Sequence, residues 1–385
     1  MLNCAGIMAA ALAGDIALPS RYSKIDLIGQ GAKSVVLKAH DSFLDRAVAI
    51  KFIKPEHNDP SNAQKFQREA KMLSAFRTQN LPVVLDFGMS ECGRPYMVME
   101  LLQGTSLKEL LAERGPLSFE LSLKIAVQVL SALEHAHECG VVHRNLAAEN
   151  VMVTWGDDGK PLAKVIDFGL TCGVKCHNSL RSAKVSTEQE ANRTRLYMSP
   201  EQVQGRESDA RSDIYSFGCI LFEMLTGTTP FAKASVAETH AAHIKELAPS
   251  LRSHMPVESD LIAELDFIIG KCLRKSPSKR YSSARQLRDV LRELHAQMKI
   301  DEADRLRSLI QSARAAITNQ DDTLVIRKDS RSCRHAFLLI LPMMALLMVI
   351  MVTALCFCPS LLDTTIAPCP NGITSMLERC DSPTK

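Results

Sequence analysis

His143-Arg144-Asn145-Leu146-Ala147-Ala148-Glu149-Asn150, followed after a short gap by Asp167-Phe168-Gly169, is the stretch around which the rest of the chain is organised. Its centre is a carboxamide, Asn145. That group offers one acceptor oxygen and two donors but has essentially no basicity near neutral pH, so it cannot do the proton-accepting work of a carboxylate. Upstream, apolar residues recur at helical intervals (Leu121, Ile125, Val129, Leu133, Ala136), which predicts a buried helix over 121–139. His135 and His137 stand on it two residues apart and therefore on different faces. They are expected to be surface or capping residues, not a metal pair. Downstream, Val151 to Val153 and Ala163 to Ile166 read as strands around the turn Gly156-Asp157-Asp158-Gly159. An EF-hand reading of that Asp pair fails because the remaining oxygen ligands do not follow at the required spacing.

Farther towards the N-terminus the pattern is strand, turn, strand. Ile25 to Ile28 leads into Gly29-Gln30-Gly31-Ala32-Lys33-Ser34-Val35-Val36 and then Val48-Ala49-Ile50-Lys51. A Gly-x-Gly pair alone is a weak phosphate-binding signal, and Ser34 stands where the third glycine of such a loop would be. Phe66, Ala70, Leu73 and Phe76 predict an amphipathic helix over 62–76 that carries Glu69. Leu81 to Leu101 reads as two strands around Cys92-Gly93-Arg94, the second running Tyr96-Met97-Val98-Met99-Glu100-Leu101. Gly104 then lets the chain turn into a helical region.

In this order, between Tyr22 and about Leu294, the motifs resemble those of the protein kinase family. The run Tyr197-Met198-Ser199-Pro200-Glu201 matches that family's Ala-Pro-Glu signature with Ser in first place, and its wording is closest to the bacterial membrane-tethered Ser/Thr kinases. The resemblance implies an α+β bilobal fold, with a small β-rich N-lobe and a larger helical C-lobe. It also implies ATP and Mg2+ as cofactors. Gly29, Gly31, Ser34, Val36, Ala49, Lys51, Met99, Glu100 and Leu102 would surround the nucleotide, with Lys51 on the α- and β-phosphates and main-chain groups at Glu100 and Leu102 on the base. Met99 would close the back of the adenine pocket, Glu69 would pair with Lys51, and Asn150 and Asp167 would hold the metal. A solvated face of Lys65, Arg68, Glu69 and Lys71 is the bland alternative for that helix. Asp213 would brace the catalytic loop, Glu201 and Arg280 would form a buried ion pair, and Leu73, Phe168 and His143 would stack into a column joining the lobes.

The departures from the family fall on the chemistry. Its catalytic loop reads H-R-D-x-x-x-x-N, and the Asp that orients the substrate hydroxyl and accepts its proton is Asn145 here. The Lys that neutralises the γ-phosphate in Ser/Thr kinases is Ala147. Tyrosine kinases also carry Ala-Ala at this point but restore the cation with an Arg, where this chain has Glu149. A missing general base costs ~10²–10⁴ in rate, and the missing cation removes an electrostatic contribution of comparable or greater size. Residues 170–195 match the family's activation segment, with Ser179, Ser182, Ser186, Thr187 and Thr194, and Arg144 could pair with a phosphate placed there. Thr194 falls where its usual partners would be the two missing residues. Cys172, Cys176 and His177 lack a fourth zinc ligand at a normal spacing. Three readings follow: a kinase-fold protein that binds Mg-ATP with transfer lost or strongly reduced (a pseudokinase), an active Ser/Thr kinase with an altered loop, or an interaction scaffold that binds no nucleotide.

The remainder frames that domain. With 385 residues, 46% hydrophobic and 23% charged, the chain can hold one bilobal domain plus appendages. A net charge of +3 without basic blocks interleaved with aromatics gives no nucleic-acid surface. Twelve cysteines, mostly without ligand or disulfide spacing before Arg334, suit a reduced cytoplasm. Residues 1–20 read as a disordered leader; a signal peptide is disfavoured by the lack of Lys or Arg before the apolar part. Residues 21–295 form the kinase-like domain and 296–335 a juxtamembrane linker. Within the linker Ile300, Ala303, Leu306, Ile310 and Ala313 make a short amphipathic pattern, read either as a homodimer helix or as a solvated linker. Residues 336–358 are uncharged and long enough to cross a bilayer once, Pro342 included. Arg327, Lys328, Arg331 and Arg334 precede them, which places the kinase-like domain and its protein partner or substrate in the cytoplasm. Residues 359–385 become a short extracytoplasmic tail in which Cys369 and Cys380 could form a disulfide.

Overall fold

The structure is a computed structural model that describes residues 18–31, 34–168, 195–255 and 259–321. Strand β1 (Tyr22–Gln30) pairs with β2 (Ser34–Asp41), and β2 alternates between buried and less buried positions, as a sheet with one covered face requires. Strand β3 (Arg46–Ile53) is buried from Val48 onwards because it lies mid-sheet. Helix α1 (Pro60–Ala75) follows. The Asp59 side chain accepts from Asn62 N–H at its start, and Pro60 occupies a first-turn position where its missing N–H costs nothing. Its buried residues are Phe66, Glu69, Ala70 and Leu73. Strands β4 (Val84–Met89) and β5 (Pro95–Glu100) complete an antiparallel sheet of order β1-β2-β3-β5-β4.

Beyond the connection at 101–104 the structure turns helical. Strand β6 (Thr105–Ser106) leads into α2 (Leu107–Arg114), whose start is a capping box between Ser106 and Glu109. Helix α3 (Phe119–Glu138) packs on β8 (Pro161–Val165), which pairs with β7 (Val151–Trp155). Then come α4 (Pro200–Val203), α5 (Ala210–Thr226), α6 (Val236–Lys245), α7 (Asp260–Cys272) and α8 (Ala284–Asp321). Helix α5 is buried continuously from Ser212 to Leu225, which marks it as the axis of this lobe. It ends at Gly227 in the left-handed region at φ 76°, a conformation a side chain would strain.

Two apolar clusters follow this division. One lies within the sheet and includes Val35, Leu37, Ile50, Phe52 and Tyr96. The other runs from Phe66 and Leu73 of α1 through Phe168 into the helices around Phe217 and Leu221. The expected α+β bilobal fold is what the chain forms. By internal contacts residues 1–307 make one unit and residues 308–385 another, of which the described part is the end of a helix.

Two expectations differ from what is found. His137 is not a surface residue: its side chain is 11% exposed and its Nε2 lies 2.7 Å from Asp213 Oδ2. His135 accepts from the Arg77 backbone N–H at 3.3 Å and packs edge-on against Phe76, so neither histidine merely caps. The amphipathic pattern at 300–313 belongs to the 38-residue α8, which passes the 295/296 boundary without a break. Residues 1–17, 169–194 and 322–385 lie outside the described residues. With them go most of the leader, Gly169, the phosphorylatable segment, Cys172, Cys176 and His177, the 336–358 span and the Cys369–Cys380 pairing. Among the described residues no helix is long and apolar enough to cross a membrane, and Cys139, Cys219 and Cys272 are free thiols.

Candidate functional site

Segments far apart in the chain meet at Lys51. Its Nζ lies 2.8 Å from Glu69 Oε1 on α1 and 3.0 Å from Asp167 Oδ1, two residues beyond β8. Glu69 is 1% exposed, so the solvated-face alternative for α1 is excluded at this position, while Arg68 and Lys71 do face outward. Burial would push the Lys51 ammonium down, but the carboxylates of Asp167 and Glu69 outweigh it and hold it well above its ordinary value. Burial raises the Glu69 carboxyl against the pull of Lys51, and the charge of Lys51 lowers Asp167. Lys51 therefore stays cationic. The Asp167 side chain keeps 45% of its surface exposed, leaving the carboxylate open to a ligand.

The loop 143–150 is held by its backbone. Asp213, 1% exposed on α5, accepts the His143 N–H on Oδ2 and the Arg144 N–H on Oδ1, both at 2.8 Å. His137 shares Oδ2, and Gln202 Nε2 donates to the Arg144 carbonyl at 2.7 Å. These ties hold Arg144 in the left-handed region at φ 62°, and Asp167, another non-glycine residue, stands there at φ 57°. Such strain persists only where the surroundings over-determine it, and it clusters at working sites. His143 is fully buried, and its Nε2 donates to the Ile166 carbonyl at 3.0 Å while its Nδ1 accepts the Asn145 N–H at 3.3 Å. That pattern is a neutral imidazole, consistent with burial pushing its pKa down. The His143 ring lies 4.5 Å from Phe168, which lies 6.1 Å from Phe76, and Leu73 belongs to the same cluster.

Asn145 occupies the loop centre with no side-chain hydrogen bond among the described residues, and Ala147 is fully buried. Neither supplies a base or a cation. Asn150 donates Nδ2 to the Asn145 carbonyl at 2.7 Å, which leaves Oδ1 as the atom that could serve a cation. Asn150 and Asp167 thus present one carbonyl and one carboxylate oxygen, the hard donor set that suits Mg2+ completed by substrate phosphates. Among the described residues no group of three or more His, Cys, Asp or Glu could hold a metal unaided.

Strand pairing gathers the remaining predicted residues. Gly29 pairs with Val36, Val36 with Lys51, and Ala49 with Met99. Gly31 N–H donates to the Ser34 carbonyl at 2.8 Å, closing the turn at the start of β2. Glu100 and Leu102 are half-buried at the lobe connection.

Sequence reasoning missed a clamp behind that connection. Lys164 on β8, 7% exposed, donates to Glu100 Oε1 at 2.6 Å and to the Leu81 carbonyl at 3.3 Å. Glu100 also accepts the Val83 N–H on Oε1 at 2.8 Å. Asn80 donates to the Ala163 carbonyl at 2.9 Å. The strand leading to Asp167 is thereby tied to the connection that would face the base. Lys164→Met is expected to lower stability by about 1–3 kcal/mol, because it leaves a carboxylate short of its charged partner. A urea denaturation midpoint that does not move would show the clamp to be incidental.

Residues 22–291 match the profile of the protein kinase domain. Serine/threonine-protein kinase PknB of Mycobacterium leprae is 33% identical over 287 residues, covering 72% of this chain and 44% of that protein. PknB of Mycolicibacterium smegmatis is 34% identical over 286 residues, covering 72% and 43%. The chain spans about two-fifths of the length of such curated relatives, 38% to 44% in the cases compared. Among solved structures, Rad53 residues 1–466 in complex with AMP-PNP superposes with a TM-score of 0.55 at 25% identity, covering 70% of this chain and 64% of that one. The Mycobacterium tuberculosis PknI kinase domain gives 0.52 at 23%, covering 72% and 100%, a likeness of fold.

Proposed function

The chain belongs to the protein kinase family, and from that premise we propose that it is a membrane-anchored, Ser/Thr-type member that binds Mg-ATP and has lost most or all phosphoryl transfer. One observation carries this reading: the clamp of Lys51, Glu69 and Asp167 is assembled at 2.8 and 3.0 Å while the positions of base and phosphate-neutralising cation hold Asn145 and Ala147. Apart from Ser34 in place of the loop's third glycine, the residues the family uses to bind Mg-ATP are kept, and the changes at Asn145 and Ala147 bear on the transfer step. That the similar Rad53 structure is a complex with AMP-PNP supports nucleotide binding.

On this reading the backbone at Gly29 and Gly31 approaches the phosphates, Val36, Ala49 and Met99 enclose the base, and main-chain groups at Glu100 and Leu102 hold its edge. Lys51 holds the α- and β-phosphates, kept cationic and oriented by Glu69. Asn150 and Asp167 would hold Mg2+, which supplies charge neutralisation to the phosphates when bound. Asn145 can orient a hydroxyl through its carboxamide oxygen but cannot take its proton. Arg144 stands beside the loop as a cation for a phosphate on the segment after Asp167. A cytosolic protein partner would read the nucleotide-bound state. Anchoring rests on the uncharged 336–358 and the basic residues before it.

Mg-ATP is expected to stabilise the full chain by about 2.7 kcal/mol at a hundredfold excess over its dissociation constant. Lys51→Met should abolish that gain, measured as a thermal shift from the variant's own ligand-free baseline. No shift in the native chain at millimolar Mg-ATP would sink the binding reading and favour a scaffold. The assembled Lys51–Glu69 pair favours one second reading, an active kinase with an altered loop. Transfer is mostly positioning and charge neutralisation, so loss of the base alone need not silence it.

A further inference from the structure

Helix α8 leaves the fold with a face that no described residue covers. Leu294 is 7% exposed, but every residue from Lys299 to Ala313 is exposed, including Ile300 at 54%, Leu306 at 58%, Leu309 at 67% and Ile310 at 46%. A helix that buries no face lacks the packing that supplies most helical stability. Four of its apolar residues fit the seven-residue repeat of a coiled coil, while Ile300 and Leu309 fall on the positions flanking that seam: with Ala303 at the first core position, Leu306 takes the second, Ile310 the next first and Ala313 the next second. A β-branched residue at the first position with Leu at the second favours two parallel strands.

The charges agree with that arrangement. The flanking positions that face each other across a parallel pair lie five residues apart, and here they are Glu302 and Arg307. Two-fold symmetry sets Glu302 of each copy against Arg307 of the other, twice per dimer. In the single chain Arg307 contacts Asp304 at 2.8 Å, but these side chains are 75% and 60% exposed, and such a contact is exchanged at little cost. Lys299 occupies the preceding second core position and ends the seam on that side. A membrane surface fits less well, because Asp301, Glu302 and Asp304 outnumber Arg305 and Arg307 between 301 and 307. We propose that residues 300–313 pair with the same segment of a second copy as a parallel two-stranded coiled coil. The pairing involves no nucleotide-site residue, so it stands or falls apart from the proposed Mg-ATP binding.

Sedimentation velocity of the full chain in detergent micelles over a concentration series tests this. The native chain should dimerise, and Glu302→Arg or Arg307→Glu should each raise the dissociation constant about tenfold by turning two attractive pairs repulsive. The double swap Glu302→Arg/Arg307→Glu should restore the native value. An L306C chain should cross-link between copies above the background of the unsubstituted chain, whose Cys92 and Cys139 are exposed, and an S308C chain should not. A monomer at all concentrations, single swaps without effect, or a double swap no better than the singles would overturn the proposal. So would a monomer whose binding to phosphatidylglycerol vesicles is lost on Leu306→Asp, which would assign the face to lipid.

Discussion

Asn145→Asp combined with Ala147→Lys is expected to raise Mg-ATP-dependent protein phosphorylation by the full chain at least about a thousandfold. The frame for transfer is already in place. Lys51 is held by Glu69 and Asp167, and the loop backbone is pinned through Asp213, so no rearrangement precedes the chemistry. Asn145→Asp is isosteric and returns a base worth ~10²–10⁴ in rate at a loop position already fixed. Ala147→Lys returns the cation that neutralises the transferred group. The two act on one transition state, so each single change should fall short of its share in the pair. The measurement is incorporation of label from ATP into the chain and into a generic basic protein, with melting temperatures confirming that each variant folds. Asp167→Ala added to the double variant should return the signal to background. A native chain that already labels protein briskly, with that signal lost on Asp167→Ala, would end the pseudokinase reading; a folded double variant with no gain would place the block elsewhere.

How much of this site could be read from the sequence depended on how local each role is. Lys51, Asn150 and Asp167 sit in short motifs that made them candidates, and the fold brings Lys51 and Asp167 to 3.0 Å while Asn150 bonds the Asn145 carbonyl. Glu69 was legible only through the family resemblance, because the helical period alone left it open as one of the solvated charges; the structure buries it with Phe66, Ala70 and Leu73 on the inward side of α1. His137, Lys164 and Asn80 were not legible. Their bonds join residues 76, 64 and 83 positions apart, and a lone polar residue on an apolar element carries no mark of the partner it will meet. His137 shows the limit plainly. The i, i+2 argument correctly kept the two histidines from acting as one pair, yet it could not tell that one of them would turn inward onto a buried carboxylate. The length of α8 was hidden for a different reason: the amphipathic pattern at 300–313 was read by itself as part of a linker, and nothing local in the sequence marks it as continuous with the helix that begins at Ala284.

Arg280→Ala should lower the stability of the domain by about 3–5 kcal/mol, the largest loss expected from any single substitution considered for this chain. Arg280 is 5% exposed and uses all its donors. Nη1 and Nη2 donate to the two oxygens of Glu201 at 2.7 and 2.8 Å. Nε, Nη1 and Nη2 also donate to the carbonyls of Arg274, Arg211 and Lys275 at 2.7, 2.9 and 3.0 Å. Glu201 in turn accepts from Ser212 Oγ at 2.6 Å. Burial would raise the Glu201 carboxyl, but the guanidinium outweighs it and holds the group below its ordinary range. Removing Arg280 therefore strands a buried anion and three carbonyls together. Arg280→Lys should recover only a small part of the loss, because one ammonium cannot reproduce a planar fork that reaches five acceptor sites. Glu201→Gln keeps the size and one acceptor, so it should cost less than Arg280→Ala. The linkage has a sign that can be checked. A carboxyl whose folded pKa is depressed contributes stability that is present above its unfolded pKa, near 4.5, and is lost as pH falls through the folded value. Native and Glu201→Gln chains should accordingly differ most at neutral pH and converge in acid. Chemical denaturation of the full chain at neutral pH and near pH 3.5 measures both effects. A loss below 1 kcal/mol for Arg280→Ala would mean that the helical lobe does not depend on this pair.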